Sequence, residues 1–207
     1  MRILVFGDSI AYGAWDSQGG WADRLKRYVH QKYVNTNGET KIQLINLGIG
    51  GDTSTKILAR LKAETDARYS ANWPDVFVFS FGTNDARTTD GVADTEFETF
   101  CSNSQKIIET AQQYSEKIMF VGVPSTQDQS LDFKGTVFED QRIKQYEDAL
   151  RQIAQGANVP YVEVRGAFSE SRSSLYAIDR LHPNDAGHEL IATIVKPELE
   201  KLLATDL

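Results

Sequence analysis

The amino-acid sequence predicts an α/β fold in which one open parallel sheet lies between layers of helices. Apolar runs rich in Val, Ile and Phe recur along the 207 residues, and segments with apolar residues at helical spacing separate them. Strands that alternate with helices form right-handed βαβ units around a parallel sheet. A chain of this length buries enough surface to fold without disulfides, and we expect one domain over residues 1–207.

Five apolar runs are predicted to be the strands of this sheet. Each run is bounded by Gly, Pro, Asn or Asp and lacks strict alternation with polar residues, which is typical of strands covered by helices on both faces. The five runs are 3–6, 42–47, 76–81, 118–123 and 161–164.

Apolar residues spaced three or four positions apart predict helices between these strands. The apolar faces begin at Trp21, Ile57, Phe97 and Ile143. A last helix is predicted over about 184–203, and Pro197 should kink or interrupt it because proline lacks a backbone N–H.

Composition excludes several classes of function. The net charge of −7 repels phosphate backbones and anionic lipid, so we expect no nucleic-acid partner. One cysteine excludes a disulfide and a thiolate zinc cluster, and three histidines leave little room for a histidine metal site. The first residues contain no apolar stretch long enough for a secretion signal or a membrane span, so we expect a cytoplasmic protein without a membrane span.

Three long irregular stretches, 82–93, 124–138 and 166–183, each follow a predicted strand. They should therefore lie at the carboxyl edge of the sheet, where open α/β folds bind their ligands. Loops of this length are usually functional or contain a short helix.

Four clusters of small polar residues are predicted to lie at this same edge. Each cluster alone is also explained as a turn or a helix cap. The second is rich in glycine but lacks the spacing of dinucleotide and P-loop motifs. The clusters are Gly7-Asp8-Ser9, the segment 46–53, Gly82-Thr83-Asn84-Asp85 and the segment 179–184.

Together the clusters supply the groups that acyl transfer needs: a serine nucleophile, a glycine amide and an asparagine amide for the oxyanion, and an Asp/His pair. Asp179 and His182 are three residues apart on a turn, which can bring the carboxylate onto Nδ1 and leave Nε2 free as a base. Asp185 and His188 repeat this spacing. His188 falls inside the last helix, so we favour His182 and expect His188 to be a helix-surface or capping residue; His30 should be a solvated helix residue.

At these clusters the sequence resembles the GDSL-type esterases and lipases of the SGNH hydrolase superfamily. The family's motifs occur in their usual order along the chain, and the resemblance extends from Gly7 to Asn184. The four matching motifs are Gly7-Asp8-Ser9, N-x-G-x-x-G at Asn46, Gly48 and Gly51, G-x-N-D at Gly82, Asn84 and Asp85, and D-x-x-H at Asp179 and His182.

The resemblance implies a flavodoxin-like three-layer α/β/α sandwich with a five-stranded parallel sheet of order 2-1-3-4-5. It also implies hydrolysis of esters or thioesters without a metal or a cofactor. Ser9 would be the nucleophile, with the amides of Ser9 and Gly51 and the side chain of Asn84 as oxyanion donors. Many members continue after the serine with Leu and then Thr, Ser or Asp, whereas this chain has Ile10 to Trp15, which leaves substrate preference open.

Substrate contacts are predicted at four aromatic residues on loops, which could line an acyl pocket or pack their own loops onto the sheet. They are Tyr12, Trp15, Phe133 and Phe138. Because no large insertion could form a lid domain, we expect a small-molecule ester with a short or soluble acyl group.

Other interpretations remain beside this one. Cys101 is a rival nucleophile, but it lies on the apolar stripe of a helix and is interpreted as a buried core residue. Asp8, Asp52 and Asp85 could suggest magnesium, yet each also suits a turn or cap, so no metal is expected. A phosphate- or nucleotide-binding module and a catalytically silent binding protein are the alternative functions. The sequence does not indicate an oligomeric state.

Overall fold

The computed structural model describes residues 1–170 and 174–204 and contains two sheets. The larger is parallel throughout, with strand order β2-β1-β3-β6-β9, and the smaller has the order β5-β4-β8-β7. The strands are β1 Arg2–Gly7, β2 Gln43–Gly48, β3 Asp75–Ser80, β4 Thr88–Thr89, β5 Val92–Ala93, β6 Ile118–Val121, β7 Ser130–Phe133, β8 Thr136–Glu139 and β9 Tyr161–Val162.

The five strands of the parallel sheet are the five predicted runs, and their order along the sheet is 2-1-3-4-5 in chain sequence. Both the fold class and the strand order are therefore confirmed. The helices are α1 Ser9–Tyr12, α2 Gly20–Asn35, α3 Ser54–Asp66, α4 Phe97–Gln112, α5 Asp140–Gly156, α6 Arg165–Glu170 and α7 Asp185–Ala204.

Alternation along β1 explains the three layers. Ile3 and Val5 belong to the core cluster that includes apolar residues of α2 and α7, whereas Leu4 and Phe6 belong to the cluster with α3, α4 and α5. All four side chains are fully buried. Successive side chains of a strand point to opposite faces, so an apolar run without polar residues requires a helical layer on each side.

The smaller sheet corrects the sequence analysis, which left 82–93 and 124–138 irregular. Each stretch contributes a β-hairpin, and β4 pairs with β8 to join the two. At the turn between β7 and β8, Lys134 and Gly135 have φ of 56° and 91°, the left-handed pair typical of two-residue hairpin turns. These strands are two to four residues long, too short to produce a recognisable apolar run.

The carboxy-terminal region departs from prediction in two places. Pro197 was expected to kink or interrupt the last helix, and the expected interruption was wrong, because α7 runs through Pro197 as one helix. Because proline has no N–H, the backbone carbonyl of Thr193 lacks its usual helical donor at position 197. Both residues are exposed, so water can donate to this carbonyl instead. The predicted irregular stretch 166–183 overlaps helix α6, and its residues 171–173 lie outside the described part of the chain.

Among the helices that the structure describes, none combines the length and the apolar character needed to cross a bilayer.

Helix α1 packs against the end of β2 through a glycine. A Cβ on Gly48 would lie 2.3 Å from the backbone N of Tyr12, whereas a Cβ on Gly50, two residues on, would have nothing within 4 Å. We expect Gly48→Ala to lower the free energy of unfolding by about 1–3 kcal/mol, because backbone atoms must move. Gly50→Ala should change it by less than about 0.5 kcal/mol. Urea unfolding of both variants checks this, and equal losses would contradict the close approach.

Candidate active site

The four polar clusters meet at the carboxyl edge of the parallel sheet. Ser9, Gly51, Asn84, Asp179 and His182 all line one cavity of about 740 Å³. Ser9 follows the end of β1, Gly51 follows β2, and Asn84 follows β3. Because neighbouring parallel strands end at the same edge, segments far apart in sequence contribute to one cavity.

Ser9 and His182 are in direct contact. Ser9 Oγ lies 2.7 Å from His182 Nε2, and His182 Nδ1 lies 2.7 Å from Asp179 Oδ2. The other carboxylate oxygen of Asp179 accepts the backbone N–H groups of Leu181 at 3.1 Å and His182 at 3.0 Å. Partial burial would raise the pKa of Asp179, but hydrogen bonds from the backbone and the ring of His182 lower it below its ordinary value.

A sharp turn at the end of β1 places Ser9. Asp8 caps the short helix α1, its Oδ1 accepting the N–H of Ile10 at 2.9 Å, and Gly13 ends that helix with φ of 92°. At Gly7 a Cβ would lie 2.3 Å from the backbone O of Ser80. Only a glycine lets the ends of β1 and β3 approach this closely, which explains its place before the Asp8-Ser9 pair.

Asn84 is held by polar contacts on both sides of its amide. Its Nδ2 donates to the backbone O of Asp52 at 3.1 Å, and its Oδ1 accepts from Arg87 Nη1 at 3.0 Å. Arg87 is in turn paired with Asp94, Nε to Oδ2, at 2.6 Å. These partners set which side of the amide is the donor. The sequence analysis did not identify Arg87; the available signal was a cation three residues after Asn84.

The three aspartates considered for magnesium each have a protein partner. Asp8 accepts from Ile10, Asp85 Oδ1 accepts from Ser54 Oγ at 2.6 Å, and Asp52 Oδ2 accepts from Arg60 Nε at 2.9 Å. In residues 1–170 and 174–204 no group of three or more His, Cys, Asp and Glu side chains could hold a metal ion. Burial raises the pKa of Asp8 to about 7 and that of Asp85 to about 6.

The second Asp/His pair differs from the first. His188 is fully buried, so the expectation of a surface or capping residue was wrong. Its Nδ1 accepts the N–H of Trp21 at 3.3 Å and its Nε2 contacts the backbone O of Ala14 at 3.3 Å. Burial lowers the pKa of His188, which keeps the ring neutral, as these two bonds require. The early part of α7 faces α2 rather than solvent, which helical position alone does not reveal. His30 is exposed, as expected.

The four aromatic residues singled out from sequence all line the cavity: Tyr12, Trp15, Phe133 and Phe138. Phe138 is buried and packs edge-on against Phe133, with ring centroids 5.9 Å apart, whereas the other three rings are partly exposed. Trp15 also makes a contact that the sequence did not indicate, since its Nε1 donates to Asp179 Oδ2 at 2.8 Å. The cavity wall further includes Ile49, Thr136 and Leu181, which sequence reasoning missed.

Cys101 lies away from this cavity. Cys101 lies on α4 and is half-buried rather than buried, which corrects the sequence interpretation. It lines a groove between α4 and α5, to which Ile153 of α5 also contributes. Burial raises the pKa of its thiol, which disfavours the reactive thiolate.

The buried carboxyl of Asp8 should affect stability in a pH-dependent way. Its pKa is raised when folded, so the folded state holds a proton that the unfolded chain releases near pH 4. The contribution of the protonated Asp8 carboxyl to the free energy of unfolding is fully present below pH 4 and is lost as the pH rises through about 7. We expect the unfolding free energy of Asp8→Asn, relative to the original chain, to increase across this window by at most about 1.4 kcal/mol per pH unit. A pH series of urea unfolding measures this, and a constant difference would contradict it.

The chain matches one known protein family over most of its length. The model of the GDSL-like lipase/acylhydrolase family matches residues 5–190. No curated protein matches the chain.

Solved structures share the fold over nearly the whole chain. A lipase/acylhydrolase from Enterococcus faecalis is 25% identical with a TM-score of 0.75, covering 97% of this chain and 95% of that one. LAE5, an alpha/beta hydrolase from the metagenome of Lake Arreo, is 20% identical with a TM-score of 0.72, covering 97% and 95%. Axe2, an acetylxylan esterase from Geobacillus stearothermophilus, is 22% identical with a TM-score of 0.71, covering 96% and 93%. Since the family model spans all four polar clusters, the chain belongs to the GDSL-like lipase/acylhydrolase family.

Proposed function

We propose that the protein hydrolyses carboxylic esters or thioesters of short or soluble acyl groups through a Ser9–His182–Asp179 triad. The observation that carries the proposal is the 2.7 Å contact between Ser9 Oγ and His182 Nε2, in a cavity that Asn84 and Gly51 also line. Family membership supports ester hydrolysis in general. The triad and the acyl preference are inferred from the cavity.

In the first half-reaction, Ser9 Oγ attacks the acyl carbonyl carbon while its proton passes to Nε2 of His182. This requires a neutral imidazole whose Nδ1 carries the proton. The carboxylate of Asp179, 2.7 Å from Nδ1, favours that tautomer and stabilises the imidazolium that forms.

The carbonyl oxygen becomes an oxyanion that needs hydrogen-bond donors. We assign this role to the backbone N–H groups of Ser9 and Gly51 and to Nδ2 of Asn84. One Nδ2 proton is directed at the backbone O of Asp52, and the other makes only a long contact, 3.4 Å, with Asp8 Oδ2. Arg87, which donates to Oδ1, polarises the amide and makes Nδ2 a better donor.

When the intermediate collapses, His182 gives its proton to the leaving alcohol or thiol, and an ester of Ser9 remains. Water then loses a proton to His182 and attacks this ester, which releases the acid and restores the serine hydroxyl. Every proton in the cycle passes through Nε2.

The lining of the cavity suits an uncharged acyl group. Its described lining is mostly apolar, with Tyr12, Trp15, Ile49 and Phe133 at the rim. Arg87 also lines it but is already paired with Asp94. This wall favours ester chemistry over the phosphate-binding alternative, because a doubly charged phosphate is held best by cationic side chains that are not already paired. A volume of about 740 Å³ leaves room for an alcohol portion beside a short acyl group.

Replacement of the nucleophile is the direct test. We expect Ser9→Ala to lower kcat for p-nitrophenyl acetate by about 10⁴-fold or more and to abolish covalent labelling by a fluorophosphonate. Cys101→Ser is the control, and it should keep both turnover and labelling. Intact-mass analysis with peptide mapping locates the adduct. Labelling at Cys101, or full activity in Ser9→Ala, would contradict the triad, and thermal stabilisation by phosphate without any adduct would favour the alternative.

Removal of one oxyanion donor should slow the chemical step. We expect Asn84→Ala to lower kcat by about 10²- to 10³-fold with little change in KM, because the oxyanion is absent from the bound substrate and develops only as the serine attacks. Thr83→Val is the matched control, since the buried Oγ1 of Thr83 has no hydrogen-bond partner among the described residues. That variant should keep its rate. Steady-state kinetics with a thermal melt of both variants separates lost catalysis from lost folding, and a KM effect alone in Asn84→Ala would argue against the assignment.

A further inference from the structure

We infer that Trp15 is a positioning residue for the triad, acting through the carboxylate of Asp179 rather than only as a wall of the cavity. This inference rests on the proposed function. Its observation is that the indole Nε1 donates to Asp179 Oδ2 at 2.8 Å, the same oxygen that faces His182 Nδ1 at 2.7 Å.

The bond from Trp15 completes the hydrogen bonding of the carboxylate. Oδ1 accepts two backbone N–H groups, from Leu181 and His182, and Oδ2 accepts from the ring of His182 and from Trp15. A carboxylate offers about four acceptor positions, so rotation about its Cβ–Cγ bond would break several bonds at once. Three of the donors belong to the same turn as Asp179, whereas Trp15 comes from the segment between α1 and α2.

The backbone at Trp15 indicates that this placement is enforced. Its φ of 67° lies in the left-handed region, which a bulky side chain rarely adopts. Strained conformations of this kind persist where surrounding contacts determine them, and they concentrate at functional sites.

Both neighbours of Trp15 are tied to helices. Ala14 O contacts the buried His188 of α7 at 3.3 Å. Asp16 accepts the N–H of Gly20 at 2.9 Å and pairs with Arg24 of α2 at 3.0 Å. The indole therefore projects from a segment that is fixed on both sides.

Trp15 is 67% exposed to solvent, so burial in a core does not explain its position. Its ring meets that of His182 edge-on, with centroids 6.3 Å apart. A fixed Asp179 keeps the Nδ1–H tautomer and directs Nε2 at Ser9, so loss of the indole donor should reduce the fraction of enzyme in the reactive geometry. That effect appears in kcat, whereas loss of a cavity wall appears in KM.

The kinetic test is a double-mutant cycle on p-nitrophenyl acetate hydrolysis. We expect Trp15→Phe, which keeps an aromatic ring but removes the donor, to lower kcat about 3- to 10-fold with KM nearly unchanged. In an Asp179→Ala background the same substitution should cause no further loss, because the acceptor is gone. Tyr12→Leu, at the same rim, is the control and should change KM more than kcat. An equal loss from Trp15→Phe in both backgrounds, or no loss in either, would overturn the inference.

A spectroscopic readout tests the contact without turnover. In a ¹H–¹⁵N spectrum, Trp15→Phe identifies the Trp15 indole N–H resonance. Asp179→Ala should move that resonance upfield and leave those of Trp21 and Trp73 in place. A resonance that does not move would overturn the inference while Ser9 labelling still supports ester hydrolysis. Absence of Ser9 labelling and turnover in the unmodified protein would overturn the proposed function and, with it, the positioning role.

Discussion

The hydrogen bond between Ser9 and His182 joins positions 173 residues apart, and the rest of the cavity is arranged around it. Ser9 is placed by β1, a central strand of the parallel sheet, and His182 by the turn that precedes α7. Helices α2 and α7 pack in the same core layer, so the two ends of the chain are brought to one edge. Asn184 begins α7 by accepting the N–H groups of Ala186 and Gly187, at 3.0 and 3.1 Å, which sets where the turn ends. Since a serine hydroxyl is a weak nucleophile without a base in contact, the proposed chemistry depends on this long-range contact.

Three aspartates have different tasks around this contact, and burial together with hydrogen-bond partners distinguishes them. Asp8 lies in a dry site where its carboxyl pKa is raised, and it caps the turn that carries Ser9. Asp85, also buried, accepts from Ser54, whose Oγ in turn accepts from Asn103 of α4 at 3.2 Å. This buried network ties the loop of Asn84 to two helices, which gives the amide a fixed origin. Asp179 is only partly buried and fully hydrogen-bonded, so it stays ionised beside the imidazole.

The smaller sheet determines the outer wall of the cavity. Phe133, Thr136 and Phe138 line the cavity from the β7–β8 hairpin, while β4 and β5 extend the sheet from the segment that follows Asn84. Both hairpins leave the parallel sheet at its carboxyl edge, where loops commonly vary, but Leu131 and Phe138 of the β7–β8 hairpin also pack in the core. The proposed reacting groups follow strands of the parallel sheet or precede α7, whereas part of the cavity wall comes from the smaller sheet.

The five strands, their alternation with helices, and the four polar clusters with their spacing could all be predicted from the amino-acid sequence. These features depend on local patterns: an apolar run, a helical period, a glycine before a serine, a carboxylate three residues before an imidazole. The strand order came from the family resemblance rather than from periodicity. Four features depend on the packing of distant segments: His188 is buried, Cys101 is half-exposed, Pro197 does not end α7, and two irregular stretches pair as a sheet. The contacts of Arg87 with Asn84 and of Trp15 with Asp179 were likewise not predictable from the sequence. Local spacing specifies backbone conformation, but solvent exposure and hydrogen-bond partners depend on which distant segments pack together, and no local pattern records that.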